Sequence, residues 1–154
     1  MEQQLKSTVL VVEPNSTGHR LWHVALLLED CHLRGVKAVV LTTEKTVESP
    51  QWQVHVSKFS PESILRPLDW FKIPNIARES IHFSADVTIL LDADSYLLPV
   101  LRRGWKGRGK LAVLMMRGEV QPGPPLAGFR PVKTLAKRAL IWVAGFRPHV
   151  RVFV

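Results

Sequence analysis

Four short apolar runs constrain this chain more than any other feature: Thr8–Val12 (TVLVV), Lys37–Thr42 (KAVVLT), Val87–Leu91 (VTILL) and Leu111–Met116 (LAVLMM). Each is nearly free of polar positions, and Thr8–Val12 is also rich in β-branched residues, the pattern of a strand covered on both faces. Between the first two, Leu21, Val24, Ala25, Leu28 and Cys31 recur at steps of three and four, so His19–Arg34 reads as a helix, with Gly35 where a C-terminal cap belongs. Trp52, Val54 and Val56 alternate and suggest a weaker strand over Trp52–Val56. Pro61 to Ser84 reads as two short helices around a kink, interrupted by Pro67 and Pro74. A short helix is expected near Tyr96–Arg103, another over Thr134–Gly145, and a terminal strand in HVRVFV. Gly118–Pro131 holds too much Pro and Gly for regular structure and reads as a mobile loop.

Strand alternating with helix implies an α/β fold: a Rossmann-like, doubly wound, mainly parallel sheet with helices on both faces. At 154 residues it is most simply one domain. In such folds ligands bind beyond the carboxyl ends of the strands. That rule gathers four loops on one rim: Glu13–Gly18, Thr42–Glu48, Asp92–Ser95 and Arg117–Pro131.

Composition excludes several classes. No uncharged apolar run approaches the ~20 residues that span a bilayer. The start, MEQQLK, lacks the basic and apolar segments of a signal peptide. One cysteine, Cys31, rules out an intrachain disulfide and a cysteine-based zinc site. A cytoplasmic protein is the default expectation. The net charge of +8 is uneven: from Arg102 onward there are twelve Lys/Arg against Glu119 alone. That basic third suits phospholipid head groups, nucleotide phosphates or nucleic acid, and equally a solvated basic face.

The loop EPNSTGHR after the first strand is the best-placed candidate site. Gly18 lets backbone approach a ligand, and the amides opening the next helix favour an anion. Asn15, Ser16 or Thr17 would alternatively just cap that helix. The loop lacks G-x-G-x-x-G and the Walker lysine, which argues against dinucleotide and P-loop chemistry. His19 is a candidate general base, since histidine titrates closest to neutral pH; a plain surface histidine is the alternative. His23 lies one turn on, but no acidic third residue completes a zinc set, and no metal is expected. Asp92 and Asp94 in LLDADSY follow a buried strand, where two carboxylates can hold a divalent ion bridging phosphates or, alternatively, cap the next helix. RRGWKGRGK, with Arg102, Arg103, Trp105, Lys106, Arg108 and Lys110, suits an anionic surface with the indole at head-group depth, or a basic turn. Nucleic acid is the weaker partner, because no recognised binding motif accompanies the charge.

Val9 to Glu44, VLVVEPNSTGHRLWHVALLLEDCHLRGVKAVVLTTE, resembles the opening of the GT-B glycosyltransferases: a first strand, a small-residue loop with Gly18-His19, a helix ending at Gly35, a second strand and the turn Thr42-Thr43. The resemblance implies the N-terminal, acceptor-side domain of a two-domain enzyme, residues 1–154 ending before a donor domain. It implies transfer from a nucleotide-sugar to a hydroxyl acceptor, sugar or lipid-linked, with His19 in the place of the base and no resident cofactor. Asn15, Ser16, Thr17, Gly18, Arg20, Asp92, Asp94 and Arg117 are then the expected substrate contacts. The later rim histidine of retaining members has no counterpart at Arg117-Gly118-Glu119, so stereochemistry stays open. The region from Arg102 fits peripheral docking at the inner face of a membrane. Asp92-Ala93-Asp94 also mimics the D-x-D of the GT-A fold, but EPNSTGHR does not fit that fold's opening. The competing expectation is a non-catalytic Rossmann-like binding module that uses its basic face on an anionic partner.

Overall fold

The computed structural model describes residues 7–17, 19–114, 139, 141–143 and 146–153; within them the side chains of Ala93 and Asp94 are not described. Gly18, Arg117, Met115–Met116 and the Gly118–Pro131 loop therefore lie outside the described residues, as does most of the helix expected over Thr134–Gly145, of which 139 and 141–143 are helical.

Six strands form one parallel sheet: β1 (Thr8–Val12), β2 (Lys37–Thr42), β3 (Glu62–Leu65), β4 (Val87–Leu90), β5 (Lys110–Leu114) and β6 (Val150–Phe153), in the order β3-β2-β1-β4-β5-β6. All five pairings are parallel, with Val11 opposite Val40 on one side and Ile89 on the other. The helices are α1 (Arg20–Leu33), α2 (Glu44–Val47), α3 (Pro50–His55), α4 (Ile73–His82) and α5 (Ala93–Arg103).

The apolar strands are explained by burial on both faces. Leu10, Val12, Val39 and Leu41 pack with Ile73 and Ile76 of α4 and with Tyr96, Leu97, Val100 and Leu101 of α5. Val11 and Val40 point the other way, against Leu21, Val24 and Leu28 of α1 and Trp52 and Val56 at α3. The doubly wound arrangement thus follows from alternation along central strands whose successive positions, Leu10 to Val12 and Val39 to Leu41, are all apolar. The five periodic residues of α1 are the five it buries. α1 ends as expected at Gly35, φ 63°: its N–H bonds the His32 carbonyl and the Val36 N–H bonds that of Cys31, leaving few orphan carbonyls.

Two expectations are corrected. Trp52–Val56 is not a strand: α3 occupies it, because Ser49 caps the Trp52 N–H at 3.2 Å and Pro50 sits in the first turn. Pro61–Ser84 is not a kinked helix pair. Glu62–Leu65 forms the edge strand β3, Leu68–Trp70 makes a 3-10 turn, and Pro74 opens α4, where the missing N–H costs nothing. No helix among the described residues is long and apolar enough to cross a membrane.

Candidate functional site

The chain winds from β1 outward to β2 and β3, then returns to β4 on the other side of β1. The loops after β1 and β4 therefore leave the sheet in opposite directions, and a crevice opens between them.

Glu13 stands at its base. Its N–H extends the ladder by one bond to the Leu41 carbonyl, 3.1 Å, and its side chain has no exposed surface. One carboxyl oxygen, Oε1, accepts the Asn15 N–H at 2.9 Å and lies 3.6 Å from the Arg20 guanidinium. The other, Oε2, is buried without a partner among the described residues. Burial pushes the Glu13 pKa up to about 7, against the pull of the Asn15 N–H and the Arg20 charge. Near neutral pH this is a carboxyl that changes charge.

Arg20, in the first turn of α1, donates to Asp92 Oδ2 at 2.9 Å, and the Ser95 hydroxyl donates to the same oxygen at 2.8 Å. Burial acts to lower the Arg20 pKa, but the Asp92 hydrogen bond and the two acidic charges outweigh it, and the net direction is up. Asp92 sits at the N-cap position of α5 without making the side-chain cap bond; its carboxylate serves Arg20 and Ser95 instead. Tyr96 is buried beside this group, and burial, then the Glu13 and Asp92 charges, hold its hydroxyl protonated far above the usual range.

The threonines after β2 hold the first loop in place. Thr42 donates to the Glu13 carbonyl at 2.7 Å, and Thr43 and Thr46 donate to the Pro14 carbonyl at 3.1 and 2.7 Å. With three side chains spent on two carbonyls, the backbone of Glu13–Pro14 is fixed from the β2 side.

Two open cavities flank that backbone. One, about 500 Å³, runs along α5 against Leu68–Pro74 and is lined by Asn15, Asp92, Ser95 and Tyr96 at the rim, and by Arg102 and Arg103 further along. The other, about 550 Å³, lies between the loops after β1, β2 and β3 and is lined by Asn15, Ser16, Thr17, Lys45, Thr46 and Arg66. Asn15, Ser16, Thr17 and Asp92, all expected at the site, line one cavity or both. Arg20 joins the group as the brace between Glu13 and Asp92.

His19 is placed differently. It is exposed at the N-cap of α1, makes no side-chain cap bond, and lines neither cavity. The His23 Nδ1–H donates to the His19 carbonyl at 2.8 Å, so that ring nitrogen is engaged along the helix. The basic segment divides as well. Arg102 and Arg103 line the first cavity, whereas Trp105 is partly buried against the core and its indole N–H donates to the Gly109 carbonyl at 3.3 Å. The Arg108 N–H bonds the Ser80 hydroxyl, and Lys106 and Lys110 are exposed, Lys110 at the amino end of β5 away from the rim. Among the described residues no three His, Cys, Asp or Glu converge as metal ligands.

Sequence reasoning missed the roles of Glu13, Ser95 and Tyr96. Glu13 carried a signal: a charged residue directly after four apolar ones, followed by Pro14, which has no N–H to offer the sheet.

No family model matches the chain, and no curated protein matches it. Among solved structures it is similar to the crystal structure of the cypemycin decarboxylase CypD, with a TM-score of 0.51 and 10% identity over 97% of this chain and 82% of that one. At that identity the likeness extends to the Rossmann-like α/β fold and no further.

Proposed function

We propose that this chain provides the acceptor side of a glycosyltransferase that moves a sugar from a nucleotide-sugar to a hydroxyl. The observation that supports it is the convergence of Asn15, Arg20, Asp92 and Ser95 around buried Glu13 at the β1/β4 crevice, between two open cavities. Glycosyl transfer asks such a rim for acceptors that orient hydroxyls and for a base near the attacking oxygen. Asn15, Asp92 and Ser95 supply the first. His19, exposed at the start of α1 and outside both cavities, is the proposed base for a hydroxyl that projects from the rim beside the loop. The nucleotide-sugar acts as co-substrate; Lys45 of the second cavity is a cation for its diphosphate, beside Glu44 and an Arg66 that is already paired with Glu79 at 2.8 Å.

Amide chemical shifts of the labelled chain test this. Methyl glycosides and nucleotide-sugars, titrated separately, are expected to move the resonances of Asn15, His19 and Ser95 and to leave those of β6 in place. His19→Ala should keep the spectrum folded while weakening the response. If no glycoside and no nucleotide-sugar perturbs the rim, the reading fails.

A further inference from the structure

The cavity along α5 has a graded lining. Asp92, Ser95, Tyr96, Pro99, Arg102 and Arg103 recur at steps of three and four, so one face of α5 forms its wall from end to end. At 1.5 Å per residue that wall is roughly 15 Å long. Its rim end is rich in acceptors. Asp92 Oδ2 is taken by Arg20 and Ser95, and Oδ1 takes neither bond. Pro99, inside the helix, has no N–H for the Ser95 carbonyl, which leaves a backbone acceptor one turn above it. The middle is apolar: Phe71, Ile73 and Pro74 face Leu98 and Pro99. Leu98 and Leu68 remain 43% and 62% exposed there, which gives an apolar ligand surface to cover. The far end carries Arg102 and Arg103, and neither pairs with an acid among the described residues. Lys72 adds a third cation to the lining.

We propose that this groove binds an elongated amphipathic anion, with a hydroxyl-bearing end at Asp92 and Ser95, an apolar body over Leu98, Pro99, Phe71 and Ile73, and a carboxylate or phosphate at Arg102 and Arg103. The orientation follows from charge. An anion at the rim meets the Asp92 carboxylate, already braced by Arg20, whereas at the far end it meets two guanidinium groups that no acid pairs with among the described residues. A donor hydroxyl at the rim finds acceptors in the Asp92 carboxylate and the Ser95 carbonyl. As the acceptor of the proposed transfer this ligand rests on that reading, but its binding stands apart from it.

The test uses the full chain and twelve-carbon probes below their micelle concentrations: 12-hydroxydodecanoate, dodecanoate, and 1,12-dodecanediol. Calorimetric titration should rank the hydroxy acid tightest. Arg102→Ala/Arg103→Ala should weaken both acids about tenfold or more and leave the diol unchanged. Leu98→Trp, which fills the groove from an exposed position, should weaken all three. Equal binding of acid and diol, or no effect of the double variant, overturns the proposal. So does binding to vesicles of anionic phospholipid with none to the soluble probes, since that marks a charged surface and not a groove. Loss of groove binding alongside retained glycoside responses at Asn15 and His19 sinks this inference alone. The reverse pattern sinks the transfer reading alone.

Discussion

A buried carboxyl that titrates near neutrality ties stability to pH, and Glu13 is that group. Its folded pKa of about 7 lies above the ordinary 4.5, so the native state holds the proton more tightly than the unfolded chain does. Its contribution is complete below about pH 4.5, declines as pH rises, and is lost above about 7. The size is on the order of 3 kcal/mol across that window. Glu13→Gln keeps an acceptor for the Asn15 N–H but cannot ionise. Urea unfolding from pH 4.5 to 8 should show the wild type losing stability relative to the variant as pH rises, with the two curves separating most steeply between 5 and 7. Parallel curves would mean that Glu13 ionises freely in the fold. At this scale the sequence reveals types and positions but not partners. Arg20 and Asp92 were both legible as rim residues, yet 72 positions separate them, and only the β1–β4 adjacency turns them into an ion pair. Glu13 was missed for a different reason: a charged side chain is read as exposed, and despite the signal of Pro14 after it nothing local shows that its Oε1 takes the Asn15 N–H and faces Arg20.

Among the elements, α3 shows how a short pattern misleads. Trp52, Val54 and Val56 alternate as a strand would, but Trp52 and Val56 are also four apart, and four is a helical neighbour. The structure buries those two and leaves Val54 66% exposed. The deciding signal was Ser49-Pro50, a capping side chain followed by a residue suited to the first helical turn. The distinction is measurable by denaturant unfolding. Trp52→Ala should cost about 3–5 kcal/mol, as a large core side chain does, while Val54→Ala should stay within roughly 0.5 kcal/mol of wild type. A costly Val54→Ala would point to the strand after all. β3 was hidden because it is short, polar at Glu62 and Ser63, and bracketed by Pro61 and Arg66-Pro67; an edge strand needs little apolar pattern. The four apolar runs left no such ambiguity, and each holds a strand of the sheet.

For the whole molecule, the winding that was legible from strand–helix alternation also distributes rigidity around the site. β1 and β4 each have strands on both sides and helices on both faces, whereas β3 is at the sheet's edge with no residue fully buried. Pro14 and Asn15, which like Leu68 line both cavities, hang from β1 and are bonded to the β2 side through Thr43 and Thr46. The opposite wall of the second cavity, Leu65 to Leu68, follows β3. The site therefore has one firm side and one yielding side, because a segment opens locally where few buried contacts hold it. Native-state hydrogen exchange reads this directly. The amides of Val11, Val12, Ile89 and Leu90 should exchange only through global unfolding, with a denaturant dependence matching that of the whole chain. Ile64 and Arg66, whose N–H bonds the Thr42 carbonyl at 2.9 Å, should exchange through smaller openings with a shallower dependence, and a ligand spanning the second cavity should slow them selectively. If β3 proves as protected as β1 without ligand, both walls are rigid, and adjustment to a substrate must come from side chains alone.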